Sequence, residues 1–253
     1  MKLTKALSLG FAALVTLAQT AKAGPPLICH ALNIGGAKSL PWSNDMWSLS
    51  GKTDYDLSRL VADTLDLLTP STPAIVRMET IRRATLYAQK DQRIAKELLS
   101  KLRSRALDSD AQQPALSERK EPALSEAKGR PDALAWFDLG YLVECYKQAN
   151  LTYKKLDSGG WEAVVNSNPA SGLDGYAWVE KAISLRGLDP EMEFAAALIS
   201  LQDKQADHHE HVRKAVAGAK ADPLLATNLA THFSGDKGDT IGAMLGKVAT
   251  AKN

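Results

Sequence analysis

The stretch that decides the fold is Asp132–Asn150, with the sequence DALAWFDLGYLVECYKQAN. On a helix its apolar residues would cover nearly all sides rather than one stripe; they are Leu134, Trp136, Phe137, Leu139, Tyr141, Leu142, Val143, Cys145 and Tyr146. A helix that is apolar all round must be covered by neighbouring elements on several sides. The stretch therefore predicts a buried helix packed inside a stack of other helices.

A short pattern recurs downstream of this helix at a constant offset of 33 residues. The first copy is Val179-Glu-Lys-Ala182 with Asp189-Pro190, and the second is Val212-Arg-Lys-Ala215 with Asp222-Pro223. Aspartate is a favoured N-cap, and proline is tolerated at the first helical position because its missing N–H would have no partner there. We therefore expect one helix to begin at Pro190 and another at Pro223.

These features together resemble the tetratricopeptide repeat, a helix-turn-helix unit of about 34 residues. Trp136, Leu139 and Gly140 match the W-x-x-L-G opening of that pattern, and the 33-residue offset is close to its period. The resemblance implies that Gly140 lets the paired helix approach closely. It also implies packing roles for a set of residues in the region 132–233: Trp136, Leu139, Gly140, Ala182, Pro190, Ala215 and Pro223.

The resemblance is partial. Val143 stands where the pattern has an aromatic residue, and the segment 157–175 is longer than a regular array has. We therefore expect an all-α fold of irregular helix-turn-helix repeats, an α-solenoid, over residues 132–253. A non-repeating helical bundle is the structural alternative.

The residues before this region also follow a helical period. Apolar or partly apolar residues recur at helical spacing in three groups: Leu57, Leu60, Val61, Leu65 and Leu68; Ile75, Met78, Ile81 and Thr85; and Ile94, Leu98 and Leu102. This spacing predicts amphipathic helices, and no convincing strand accompanies them. Thr72 followed by Pro73 predicts the capped start of the second helix. Residues 54–107 are expected to form helical hairpins.

Two segments interrupt the helical pattern. Residues 24–53 are punctuated by proline and glycine, and we expect an irregular segment that packs Trp42 and Trp47 on the helical body. Residues 108–131 contain Pro-Ala-Leu-Ser-Glu twice, at 114–118 and 122–126. A tandem repeat of this kind is typical of a low-complexity insertion tolerated at the surface.

Residues 1–23 have the form of a cleavable secretory signal peptide. Lys2 and Lys5 precede an apolar run of about 12 residues, and Ala21-Lys-Ala23 has the A-x-A form of a cleavage site. The run is shorter than the ~20 residues needed to span a bilayer. We therefore expect cleavage after Ala23 and a periplasmic or secreted chain without a membrane span.

Removal of this signal would leave a nearly neutral chain. The whole sequence has 31 Lys and Arg against 29 Asp and Glu, and the loss of Lys2, Lys5 and Lys22 would leave 28 against 29. Such a balance provides no broad positive surface for phosphate backbones. We therefore expect no nucleic-acid partner.

The chain has two cysteines, Cys29 and Cys145. In an oxidising compartment the simplest prediction is one disulfide between them, and two unpaired thiols are the alternative. The bond would close a long loop, with a chain-entropy stabilisation of ~4–5 kcal/mol before strain. No C-x-x-C motif occurs, so neither a thioredoxin-type site nor covalent haem is predicted.

The candidate metal ligands are His208 and His211, within Asp207-His-His-Glu-His211. On a helix these two histidines share one face, and Asp207 lies near His211, so a divalent metal could find two or three ligands. The alternative interpretation is a capping box, in which Asp207 caps a helix and Glu210 bonds back to it. That interpretation places the histidines in an exposed first helical turn.

No pattern of catalytic residues accompanies these features. The sequence lacks a Gly-x-Ser-x-Gly elbow, an H-E-x-x-H motif and a complete calcium loop. Proteins that resemble tetratricopeptide arrays bind peptides or partner proteins, and the resemblance implies the same here: a binding scaffold with no enzymatic activity and no cofactor. The alternative hypothesis is a metal-binding envelope protein that uses His208 and His211.

Overall fold

The computed structural model describes residues 25–43, 49–111, 131–149, 151–155, 161–165, 168–201 and 205–233. Its helices are α1 (Pro26–Cys29), α2 (Leu60–Leu67), α3 (Ala74–Ala88), α4 (Gln92–Ala111), α5 (Pro131–Ala149), α6 (Gly175–Arg186), α7 (Pro190–Ser200), α8 (Gln205–Gly218) and α9 (Pro223–Phe233). A 3₁₀ turn, Leu57–Arg59, leads into α2, and the two strands are β1 (Leu151–Lys155) and β2 (Trp161–Val165). The described chain is predominantly helical, which confirms the predicted class.

A β-hairpin follows α5, where the sequence indicated no strand. β1 and β2 pair antiparallel, with Leu151 opposite Val165 and Lys155 opposite Trp161. Threonine, tyrosine, tryptophan and valine in these strands favour extended backbone. The sequence pattern did not indicate this hairpin, because two five-residue strands are too short to stand out between long helical patterns.

Helix α5 is the centre of the fold. It packs against α3, α4 and α6, and Phe137, Tyr141 and Leu142 within it are fully buried. Because neighbours cover α5 on several sides, its burial joins the N-terminal helices α3 and α4 to the C-terminal helix α6. This is the environment that its all-round apolar sequence predicts.

Aspartate side chains cap the first turns of the two helices that start at the Asp-Pro pairs. Asp189 accepts hydrogen bonds from two N–H groups in the first turn of α7, at 3.1 and 3.2 Å, and Asp222 does the same for α9, at 2.9 and 3.0 Å. Pro190 and Pro223 are the first residues of these helices. Both helices therefore begin where the Asp-Pro pairs indicate, and for the physical reason given.

The start of α3 differs from the prediction. The helix begins at Ala74 with Pro73 as its N-cap residue and without a side-chain cap. The Thr72 hydroxyl instead donates to the carbonyl oxygen of Leu67, at 2.7 Å. Thr72 therefore closes the end of α2 rather than capping α3.

Helix α3 is buried on nearly all sides, including charged residues. Arg77, Glu79 and Arg82 are each at most 1% exposed. Arg77 pairs with Asp138 of α5 at 2.6 Å, and Arg82 pairs with Glu79 at 2.8 Å. Buried charges are stable only when partners replace the lost water. The expectation that α3 exposes a polar face is therefore wrong, since other parts of the chain cover it.

The N-terminal segment, residues 25–43, supplies part of this cover. Glu79 accepts a hydrogen bond from the main-chain N–H of Leu32, and Arg82 donates to the carbonyl oxygen of Ile28, both at 3.0 Å. The side chains of α3 thus hold the main chain of a segment with almost no secondary structure of its own.

The same segment reaches the last described helix. Asn228 of α9 accepts from the main-chain N–H of Asn33 at 2.9 Å and donates to its carbonyl oxygen at 2.8 Å. Further along, Trp42 is buried and meets the ring of Tyr87 edge to face. The segment is therefore irregular and packs Trp42 on the helical body, whereas Trp47 lies outside the described residues.

Several predicted features lie outside the described residues: the signal peptide at 1–23, most of the low-complexity insertion at 112–130, and residues 234–253. The insertion was expected to begin at 108, but α4 continues to Ala111. Within the described part of the chain, no helix combines the length and apolar character needed to cross a bilayer.

Candidate functional site

Five of the residues predicted to pack the repeats lie in the core between helices, whereas Pro190 is half-buried and Pro223 is exposed. Trp136 and Leu139 are buried, and Ala182 and Ala215 have no exposed surface. A Cβ atom on Gly140 would lie 2.6 Å from the carbonyl oxygen of Gly175, so the backbones of α5 and α6 are as close as two glycines allow. These residues pack the helices together, and of them only Leu139 also lines a cleft described below.

His211 lies in a buried chain of hydrogen bonds rather than in an exposed first turn. Its Nδ1 is 2.5 Å from Glu193 Oε2 of α7, and its Nε2 is 2.9 Å from the hydroxyl of Tyr176 in α6. Its side chain is only 6% exposed. The exposed capping-box interpretation is wrong because α8 begins at Gln205, which places His211 in the second turn and against two other helices.

A carboxylate, an imidazole and a hydroxyl in series are the ingredients of an activated nucleophile. Here the hydroxyl belongs to Tyr176, whose pKa is raised, first by burial and then by Glu180 and Asp207. The raised pKa keeps the phenol protonated, and Tyr176 and His211 are both buried. The chain of hydrogen bonds therefore holds α6, α7 and α8 together and offers no accessible nucleophile.

His208 is also buried, and it points to different partners. Its Nδ1–H donates to the carbonyl oxygen of Ala197 at 2.8 Å, and its ring meets Phe233 edge to face at 5.3 Å. In each of the predicted metal ligands, His208 and His211, a ring nitrogen is therefore hydrogen-bonded to another group of the protein. Among the described residues, no group of three or more histidine, cysteine, aspartate or glutamate side chains is arranged to hold a metal ion.

Both cysteines are free thiols in this structure, Cys29 half-buried and Cys145 fully buried. Burial raises the pKa of each thiol, and the guanidinium of Arg82 opposes that rise at both. Helix α1, which ends at Cys29, packs on α5, which carries Cys145. Both cysteines lie near the same arginine, Arg82. The predicted disulfide is not formed in this structure, and the bond stays a prediction.

A carboxyl cluster that sequence reasoning missed lies where α3, α7 and α9 begin. The N–H of Ile75 donates to Glu191 Oε2 at 2.9 Å. Burial, followed by the neighbouring charges of Asp189 and Asp222, raises the pKa of Glu191 to about 7. In the sequence, Glu191 directly follows the Asp189-Pro190 cap. Only the fold brings Asp222 close to it.

An open cleft lies between α4, α5 and the start of α6. We call it the α4 cleft; it has a volume of about 300 Å³. Leu99, Leu139, Leu173 and Trp178 give it an apolar lining, and Lys96 and Arg103 give it positive charge. Because Trp178 is only half-buried and both cations are exposed, these side chains are available to a ligand.

A larger and more polar cleft adjoins it. It has a volume of about 470 Å³, shares Leu173 with the α4 cleft, and is lined by Glu144, Lys147, Tyr176 and Ser200 among others. Lys147 pairs with Glu144 at 2.8 Å. No pattern in the sequence indicates either cleft, because the residues that form them come from separate helices and the loop before α6.

No known protein family, no curated protein and no solved structure matches this chain.

Proposed function

We propose that this chain is an exported helical-repeat protein, resembling tetratricopeptide arrays, that binds a peptide or partner protein and has no catalytic activity. The observation that carries the proposal is the α4 cleft, an apolar surface with exposed cations on a scaffold of paired helices. Ligand sites are typically concave and apolar with a few charged groups.

The pairing of the C-terminal helices supports the repeat-like part of the proposal. Helix α5 packs most closely with α6, and α7 with α8. In the tetratricopeptide pattern the W-x-x-L-G sequence opens the first helix and a proline follows the second. Here Trp136 and Gly140 lie in α5, and proline begins the helix after each pair: Pro190 after α6 and Pro223 after α8.

The β-hairpin explains the irregularity of this array. It lies in the connection between Ala149, the last residue of α5, and Gly175, the first residue of α6. The connection is long, yet the two helices still meet at Gly140 and Gly175. The departure in spacing is therefore an insertion within one helix pair, which leaves the packing of that pair intact.

Site-specific photo-crosslinking of residues 24–253 in the native envelope tests this function. One variant carries the crosslinker at Ser100, which lines the α4 cleft, and a matched variant carries it at Glu97, which is exposed on α4 and does not line it. We expect a reproducible partner at position 100, competed by excess unmodified protein, and much less at position 97. Absence of a partner at both positions, or equal yields at both, would contradict the proposal.

A further inference from the structure

We propose that the α4 cleft binds an acidic segment of a partner protein, with an apolar or aromatic side chain held against Trp178. This inference rests on the proposed binding function and names the chemistry of the partner. It follows from the charges of the cleft, from its apolar lining and from the spacing of its two cations.

The charge of the cleft is uniformly positive. Lys96 and Arg103 line it, and no described residue that lines it carries a carboxylate. Neither cation forms an ion pair with any residue that the structure describes, whereas Arg93 on the same helix pairs with Asp91 at 2.8 Å. Two unpaired cations at one apolar cleft favour a ligand that brings its own carboxylates.

The apolar lining selects against a ligand that is only acidic. Leu99 and Leu139 are buried beneath the cleft, while Trp178 is half-buried and stacks obliquely on Trp136 at 6.0 Å. A half-buried tryptophan loses its remaining water when an apolar side chain covers it, and such residues contribute strongly to binding. The ligand is therefore an acidic peptide segment with an apolar anchor rather than a polyanion such as nucleic acid.

The spacing of the cations sets the spacing of the carboxylates. Lys96 and Arg103 are seven residues apart on α4, which is about 10 Å along the helix axis. An extended polyproline-type segment rises about 9 Å over three residues and returns to the same face. Two acidic residues three positions apart, with the apolar anchor between them, therefore match the cleft.

Fluorescence anisotropy with a fluorescein-labelled peptide, Gly-Ser-Glu-Leu-Phe-Glu-Ser-Gly, tests this inference on the chain of residues 24–253. One matched peptide replaces both glutamates with glutamine, and another replaces Leu-Phe with Ser-Ser. We expect saturable binding of the first peptide, weakened by salt, and weaker binding of each matched peptide.

Protein variants locate the site. The double variant K96A/R103A removes exposed charges and is expected to weaken binding about 2- to 30-fold, and Trp178→Ala about 30-fold or more. The control K101A/R93A removes two exposed cations of α4 that do not line the cleft, and it should bind as the unmodified chain does. Circular dichroism of each variant verifies that the fold is retained.

Three outcomes overturn the inference: no saturable binding of the acidic peptide, equal affinity for all three peptides, or equal affinity of K96A/R103A and its control. If the peptide fails while a crosslinker at Ser100 captures a partner, the ligand chemistry inferred here is wrong and the binding function stands. If the peptide does not bind and the crosslinker captures no partner, the proposed binding function is wrong as well.

Discussion

Gly140 and Gly175 meet where α5 crosses α6, so closely that a Cβ atom on Gly140 would lie 2.6 Å from the carbonyl oxygen of Gly175. The contact joins two backbones, which cannot move aside as a flexible side chain can. The nearest side chain, Val179, would itself lie 2.9 Å from the same Cβ. The close approach of α5 and α6 therefore requires glycine at both positions.

Gly140→Ala should destabilise the chain by about 1–3 kcal/mol through overpacking. Alanine favours helix over glycine by up to ~1 kcal/mol, but the displaced backbone costs more than this gain. Urea unfolding measures the difference. Gly36→Ala is the matched control, because nothing lies within 4 Å of its added Cβ, and it should be close to neutral. A stabilised G140A variant would contradict the close contact.

Glu191 should make the stability of the chain depend on pH between about 4.5 and 7. Its pKa in the folded chain is about 7 against 4.5 for an ordinary glutamate, so the folded state binds the proton more tightly than the unfolded state. Stability from this group is fully present below pH 4.5 and is lost as the pH rises through 7, by about 1–3 kcal/mol.

Glu191→Gln removes the titration while keeping an oxygen for the N–H of Ile75. We expect the variant to be more stable than the unmodified chain at pH 8 and to lose less stability between pH 5 and pH 8. Urea unfolding across this range is the measurement, with Glu97→Gln, exposed on α4, as a control that retains the original slope. An unchanged slope in E191Q would show that another group is responsible.

His211 should contribute to stability rather than to activity. His211→Leu leaves the buried carboxylate of Glu193 and the hydroxyl of Tyr176 without this partner, which should cost about 2–4 kcal/mol. His209→Leu is the control, since that side chain is exposed and should change stability by less than about 0.5 kcal/mol. Similar unfolding midpoints for the two variants would contradict the role of the buried hydrogen bonds.

The metal hypothesis makes a separate prediction for His208 and His211. Because Glu193 and Tyr176 hold both ring nitrogens of His211, and both histidines are buried, we expect protein purified without a polyhistidine tag to contain no stoichiometric metal and to keep its Tm when EDTA is added. Elemental analysis with thermal unfolding provides the test. A metal that is lost in the double alanine variant would restore the hypothesis.

The cysteines should differ in reactivity if both remain thiols. Cys29 is half-buried and Cys145 fully buried, so a thiol reagent should modify one group in the folded chain and both after unfolding. Mass spectrometry with and without denaturant counts the modified groups, and Cys29→Ser identifies the fast one. If neither group reacts in denaturant without a reductant, the predicted disulfide is present.

The sequence was most informative where local chemistry determines structure. The Asp-Pro pairs mark the starts of α7 and α9 because an N-cap and its proline act within one turn. The apolar pattern of α5 indicates burial because it covers every side. Neither inference depends on knowing what lies nearby.

Other features depend on contacts between distant residues, which no local pattern shows. On an amphipathic helix, charged residues such as Arg77, Glu79 and Arg82 would form an exposed polar face. Here Asp138 and the N-terminal segment cover them. The capping-box interpretation places His211 in an exposed helical turn. In the structure Glu193 and Tyr176, from two other helices, form hydrogen bonds with it. The α4 cleft needs α4, α5 and α6 together, so its residues carry no signal in the sequence.

The contact between Asn33 and Asn228 joins residues 195 positions apart, near the two ends of the described chain. In an open solenoid each repeat contacts only its neighbours, so folding can spread stepwise from any unit. Here the first segment finds its partner only after the last described helix has formed, which raises the contact order and slows folding. A chain that lacks α9 cannot complete this closure, so we expect the native fold only when the chain as far as residue 233 is available.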